Sequence, residues 1–552
     1  MNRNNYTRAD LSSGLPVFLL DVTWGGITYY LANIDIQVPD GSGGNIDYVG
    51  AIQDFNYIES MDLSGEEIES NVLSCAVIFD QNPIEQFSLG NPLEGSEAVF
   101  SYVILKNGVV TIDHDDRVIL MRGIVQEPQY GDPLEPDGFV SMSIELDQLD
   151  SETPIIDQRL RIDSRFTGRH VDTANGKPWP IVFGLPNDFS SSSFSTYSTP
   201  AYVIKQGTGT SDSTRWMIAG QEIKASQVKI QDDKFDSLTL PVALAVDNNG
   251  NPYSYISYQM PLGYSGLALP LTGGWASGTT RSYFVAFNAT DGGAMLNPFG
   301  SGILEGGGDI CRWALSKTNQ KIDYGAWAGL APLLNKFKFA GYINDPDISA
   351  WQWLAGNILP WLPISIRTGP NGLTPVLNQL HALTYLDPVI SIDIDSNAEF
   401  QRLGAVETTR TTADLVNQYS FSFAKLGYSQ GYTKQVRVTE KAVKNYDIRS
   451  DYSTRSINLY GVKDGSGESD YVYDTDTATM IALGQIARLS MPIRTLDISA
   501  PFNYGYIKIG DIISLTSGAL FMKNLNSMVT QKEWLGSYWR FQLTFELNSI
   551  KS

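Results

Sequence analysis

Histidine is nearly absent from this chain: 552 residues carry three, His114, His170 and His381, each in a different segment. A hydrolytic triad or a multi-histidine metal site therefore has little to work with. Cysteine is scarcer still. Cys75 and Cys311 stand far apart in apolar segments, which fits two buried free thiols and not a disulfide framework. No apolar run approaches the length of a membrane span, and the first ten residues are polar and of mixed charge, so neither a spanning helix nor a signal peptide is expected. The expected setting is the cytosol in which the chain is made, or release by lysis; the Asn-x-Thr sequons at Asn5 and Asn288 would matter only on a secretory route. Positive charge is also in short supply, with 39 Lys and Arg against 60 Asp and Glu, a net charge of −21. Such a chain repels phosphate backbones, so DNA is expected to pass it without specific nucleic-acid binding.

What is present is apolar residue in quantity, 42% against 18% charged, which excludes a disordered chain and leaves part of the surface for partners. The length implies roughly three to five domains. The expected fold class is mainly β with a smaller α/β module, as two β-barrel-like tube domains plus insert domains. Residues 1–150 are expected to form the first barrel, with hairpins at Trp24-Gly25-Gly26 and Asn107-Gly108, where positive φ angles suit a type I′ turn. Val140, Met142, Ile144 and Leu146 alternate with polar residues, so one strand face is buried. Residues 151–200 read as a junction ending in a Ser-rich exposed loop, and 201–300 as a small β insert.

Residues 301–385 read as the α/β module. A helix is expected over Ile310–Lys317 and a strand over Phe337–Ile343. A further helix capped by Asp347 or Ser349 carries the stripe Ala350, Trp353, Leu354 and Ile358 up to Pro360. Residues 386–552 read as the second barrel, with strands near Ile392, Tyr419–Phe423 and Ser456–Tyr460. One buried helix follows Asp474 and Asp476 and ends before Pro492; after it, Leu496–Ala500 and two strands about Gly510-Asp511 complete the segment.

The chemistry-bearing clusters are few. Asp113-His114-Asp115-Asp116 has carboxylates enough for a divalent cation, but lies where a hairpin turn belongs and reads better as a solvated turn. Asp393 and Asp395, two apart on an expected strand, project from one face as a glycosidase acid pair would, though polar strand faces look the same. The glycine-rich Gly302–Gly308 lacks the Lys and Ser/Thr of a phosphate loop and reads as a flexible connection. Trp353 belongs to the core by spacing, while Trp351 and Trp361 divide between core and interface. No catalytic, cofactor or metal residue is assigned, and no enzyme activity is expected.

Four stretches, in order, carry a family resemblance. They are Val118–Val125; Gly176-Lys177-Pro178-Trp179-Pro180-Ile181-Val182-Phe183-Gly184, which looks like a Gly-Lys-Pro-x-Pro-x-Val-x-Gly junction; Phe339–Gly372; and Ala478–Leu489 with Pro492, a strand and Ile509-Gly510-Asp511-Ile512-Ile513-Ser514-Leu515. Together they resemble the hub proteins at the distal end of bacteriophage tails, the family of the myophage baseplate hub and the hub portion of siphophage tail-tip proteins.

The resemblance implies a homotrimer with two related barrels per chain, so that three chains meet a hexameric distal tail ring protein. It further implies a tape measure protein and a separate tail fibre or tip protein as partners, and a place in the virion at the distal tail after assembly in host cytoplasm. Lining or gating of the DNA channel during ejection would follow. A receptor- or carbohydrate-binding tail tip protein, and a glycan-active tail enzyme, stay open as alternatives.

Overall fold

The structure is a computed structural model. It describes residues 14–61, 63, 68–69, 71–78, 89–130, 140–145, 153–157, 159–163, 166, 176–185, 199–205, 213–232, 237–259, 283–287, 293–318, 320–378, 380, 383, 386–425 and 431–546. His170, His381, both sequons and the Ser-rich run before Thr199 lie outside the described residues.

Strands dominate, as the short apolar runs predict. The two glycine turns form as expected. Trp24 pairs with Ile27 across Gly25 and Gly26, at φ +59° and +81°, and Asn107 and Gly108 stand at +51° and +79°. From these hairpins an antiparallel sheet grows in the order Ile27–Ala32, Leu15–Trp24, Glu97–Lys106, Val118–Tyr130, Val140–Glu145, Val72–Val77, Ile52–Ser60. Met142 and Ile144 are buried on the alternating face.

Sequence gave no hint of the next step. Ile52–Ser60 pairs antiparallel with Met522–Trp534, Ser60 opposite Gln531 and Tyr57 opposite Trp534. Met522–Trp534 continues into Trp539–Glu546 and Ile493–Ala500 on one side and into Ile512–Ser517 and Ile390–Asp393 on the other. The first and last segments thus share one sheet, of 17 strands among the described residues. They also share one core: Phe18 meets Phe55 at 4.7 Å, Trp534 at 5.3 Å and Phe502 at 5.9 Å between ring centroids. Packing aromatics from both ends of the chain against each other adds to the apolar burial that holds this sheet.

The closed barrel among the described residues is that of the expected insert, Thr199–Lys205, Ser213–Ala219, Pro252–Gln259, Ser237–Val246, Gln227–Asp232 and Tyr283–Phe287 in that order around the ring. The helices build a second core. Gly307–Leu315, Tyr324–Leu334, Ala350–Asn357 and Thr475–Leu489 pack with the strands Gln418–Lys425 and Tyr432–Thr439. The striped helix is capped by Ser349 in a full capping box with Gln352, and Ala350, Trp353, Leu354 and Ile358 are all buried.

Five expectations are corrected. Ser456–Tyr460 is not a strand but the end of the helix Asp451–Tyr460. Its buried face is Ser453 and Ser456, which donate to the carbonyls of Asn417 and Ser490, so no apolar stripe announced it. Ile507–Ile509 is a turn, because the Asp511 carboxylate accepts the Lys508 N–H at 2.8 Å and Gly510 takes φ +87°. The strand expected over Phe337–Ile343 shrinks to Gly341–Ile343, since the Phe339 and Ala340 N–H groups go to Glu305 and Tyr471 instead of a ladder.

The glycine-rich stretch is no loose connection. Gly306 caps and Gly307 and Gly308 begin a helix, and a Cβ on Gly306 would come within 2.5 Å of Asn335, on Gly307 within 2.9 Å of Leu362. The helix Tyr324–Leu334, capped by Asp323, carries Gly329 and Pro332 and was not expected. The fifth correction concerns Asp393 and Asp395 and is given with the site.

Candidate functional site

The junction motif acts as a staple between modules. Gly176 turns at φ +77°, and Trp179, 1% exposed, packs with Phe166 at 5.7 Å and Tyr253 at 5.6 Å. Strand alternation then sends Val182 into the barrel core and Phe183 into the helical core. Phe183 meets Trp353 edge-on at 5.5 Å and stacks on Tyr471 at 5.8 Å, while Ile181–Phe183 pairs with Gly341–Ile343. Gly184 closes the motif at φ +66°, where a Cβ would meet the Phe339 carbonyl oxygen at 2.4 Å.

Asp113–Asp116 forms one 3-10 turn, His114–Asp116, as its place in the hairpin predicts. His114 bridges the turn and the sheet, with Nδ1 3.4 Å from Asp115 Oδ1 and Nε2 3.3 Å from Oδ2 of buried Asp21. That carboxylate also accepts from Tyr48 at 2.7 Å and Arg117 at 2.7 Å. Burial, with Asp21 beside it, pushes the Tyr48 phenol up. Among the described residues no three His, Cys, Asp or Glu side chains are grouped as a metal ion requires.

Asp393 and Asp395 do not share a strand face. Asp393 ends the strand Ile390–Asp393 and accepts the Asp395 N–H at 3.1 Å in a local turn. Asp395, beyond the strand, accepts the Ala519 N–H at 3.1 Å and the Ser517 hydroxyl at 2.9 Å. Those bonds hold its carboxyl below the usual range, the reverse of what a general acid needs. Its role in the fold is to pin the turn to the hairpin tip. Trp351 and Trp361 are both half-buried against the helical core, Trp361 edge-on to Phe421 at 5.1 Å. Cys75 and Cys311 are buried and free; burial pushes the Cys75 thiol up to about 12.

The polar cluster that sequence reasoning missed lies on the seam between the first and last segments. Buried Glu59 accepts from Arg367 Nη1 at 3.2 Å and from Tyr57 at 2.8 Å, and the Tyr57 hydroxyl also receives the Asn71 amide at 3.2 Å and donates toward the Leu120 carbonyl at 3.0 Å. On the adjoining strand Glu533 accepts from Asn56 at 3.1 Å and from Arg540 at 3.2 Å. Lys532, 3% exposed, donates to the Gly505 carbonyl at 2.7 Å and sits 4.3 Å over the Trp539 ring. Local pattern gave no signal for it: in Ile364-Ser365-Ile366-Arg367 the arginine shares the polar face with Ser365, and only tertiary packing buries both faces of the strand.

The geometry is that of interlocked β modules tied by buried ion pairs and aromatic staples. No protein-family model matches the sequence, and no curated protein matches it either. Among solved structures the chain is similar to a tail protein from Neisseria meningitidis MC58, at 8% identity and TM-score 0.38, covering 97% of each chain. It is similar to the 43 kDa tail protein of prophage MuSo2 from Shewanella oneidensis, at 6% identity and TM-score 0.38, covering 97% of this chain and 100% of that one. A prophage tail protein from Listeria monocytogenes EGD-e aligns at 9% identity and TM-score 0.33, over 94% and 96%. At overlaps this low the functional reading rests on the chain's own motifs and geometry.

Proposed function

We propose that this chain is a structural hub subunit of a phage tail that works by binding and not by chemistry. The carrying observation is the seam between Ile52–Ser60 and Met522–Trp534, which fuses the first and last sheets into one continuous wall within a single chain. Such a wall is the unit a ring of copies needs; three of the four ordered hub-like motifs contribute to it, and the second joins the two modules outside it. Val118–Val125 supplies the Leu120 carbonyl to Tyr57. Gly176–Gly184 staples barrel to helical module. The Phe339–Gly372 stretch supplies Arg367, and in the last motif Asp511 closes the turn that leads into Ile512–Ser517.

In this reading three copies form the ring, meeting a hexameric tail ring on one side and a fibre or tip protein on the other. Permanent interfaces of that kind bury on the order of 2,000 to 5,000 Å². The acidic excess of the chain would face the lumen and let ejected DNA slide past. Mass measurement of the purified chain with particle imaging tests the ring. Three copies around a threefold axis are expected, and a single-copy particle at every concentration overturns the reading. A neutral or basic lumen in the imaged ring would remove the DNA-sliding role alone.

A further inference from the structure

A cleft of about 350 Å³ opens where the sheet, the Ile364–Gly369 strand and the 505–508 turn converge. Its inner wall carries Arg367 and Lys532 beside the buried acid Glu59. Arg367 is 9% exposed and spends Nη1 on Glu59 and, at 3.5 Å, the Thr368 carbonyl, while its Nε is buried without a hydrogen-bond partner. Lys532 lines the same wall, and no carboxylate among the described residues comes within 4.0 Å of its ammonium. Its neutral neighbours, the Gly505 carbonyl and the Trp539 face, leave an ammonium with three donors short of acceptors. Half-buried Lys508 adds a third positive group from the turn.

The acids nearby are largely committed. Glu59 is shared between Arg367 and Tyr57, Asp511 closes its own turn, and Asp323 caps a helix by accepting the Ala326 N–H. Arg117, also on the wall, is engaged with Asp21. Asp115 and Asp116 stand exposed at the rim. Burying cations without enough counter-charge is costly, so a fold that does so in an open cleft holds sites ready for an anion.

We infer that this cleft is a binding site for one oxyanion group, a carboxylate or phosphate, held by Arg367 and Lys532 with Lys508. The bidentate habit of guanidinium and the point charge of the ammonium suit such a group together. The small volume and the acidic rim select against polyanions such as nucleic acid, which would bring further negative charge against Asp115 and Asp116.

The test is calorimetric titration of the full-length chain with inorganic phosphate and, separately, with acetate, at constant ionic strength. Saturable binding of at least one is expected, with phosphate alone marking a phosphate site and both marking a general oxyanion site. Lys532→Met should weaken it by roughly tenfold or more. Should that variant fail to fold, Lys508→Met, nearer the surface, decides by the same measurement. No saturable binding to the native chain, or unchanged affinity in the folded variants, overturns the proposal. Oligomeric state is not involved in the readout, so failure here leaves the ring reading untouched.

Discussion

Arg367 Nη1 lies 3.2 Å from Glu59 Oε2, joining two residues 308 positions apart in the chain, both almost wholly buried. This ion pair locks the Ile364–Gly369 strand to the sheet where its first and last segments meet. Removing one partner strands a charge in the interior. Arg367→Met is expected to destabilise the fold by about 3–5 kcal/mol, whereas Glu59→Gln with Arg367→Met together should cost clearly less than the sum of the two single changes. Chemical denaturation of the three variants checks this; additive losses would show that the pair does not couple.

The junction staple depends on Gly184. An alanine there must hold φ near +66° and fit a Cβ 2.4 Å from the Phe339 carbonyl oxygen, so the strand Ile181–Phe183 has to shift. Gly184→Ala is expected to cost at least about 1–2 kcal/mol from the backbone alone. Limited proteolysis should then cut between barrel and helical module sooner than in the native chain. Gly176→Ala, at φ +77° with open space around it, should show only the backbone part.

Ser349 accepts the Gln352 N–H at 3.1 Å and Gln352 returns a bond to the Ser349 N–H. Ser349→Ala is expected to cost about 1 kcal/mol, read as a fall in Tm, and Ser349→Asn, which can still cap, to restore most of it. Equal losses in both would place the effect in the packing of buried Ser349 and not in its cap.

Glu546 is buried near Arg410 and Arg455, and burial pushes its carboxyl up to about 7. The folded pKa is raised above the unfolded value, so the protonated form favours the fold. That contribution is complete below the unfolded value, near 4.5, and is lost as pH rises through about 7. The span corresponds to roughly 3 kcal/mol. Glu546→Gln should therefore match the native chain near pH 4.5 and be more stable than it at pH 8. A difference between the two chains that does not change with pH would rule this out.

Much of the fold is legible from local pattern. The hairpins at Gly25-Gly26 and Asn107-Gly108, the cap at Ser349 and the helix after Asp474 are written in residues that act on their immediate neighbours. The helix Asp451–Tyr460 escaped because its buried face is serine, invisible to an apolar count. The paired look of Asp393 and Asp395 misled because a turn, not a strand, follows Asp393. Glu59, Arg367 and Lys532 stand at ordinary polar places in their strands, Lys532 within Thr530-Gln531-Lys532-Glu533, and local pattern did not mark them.

The sequence by itself determined the β-rich class, the turn positions and the helix stripe with its buried Trp353, since each follows from side-chain period and backbone preference over a few residues. Tertiary structure alone decided that Tyr57 would face Trp534 and that Glu59 would find Arg367. Strand pairing between chain ends obeys no local code: any apolar edge can pair with many others, and the choice falls to the arrangement that packs Phe18, Phe502 and Trp534 together and brings Arg367 to Glu59.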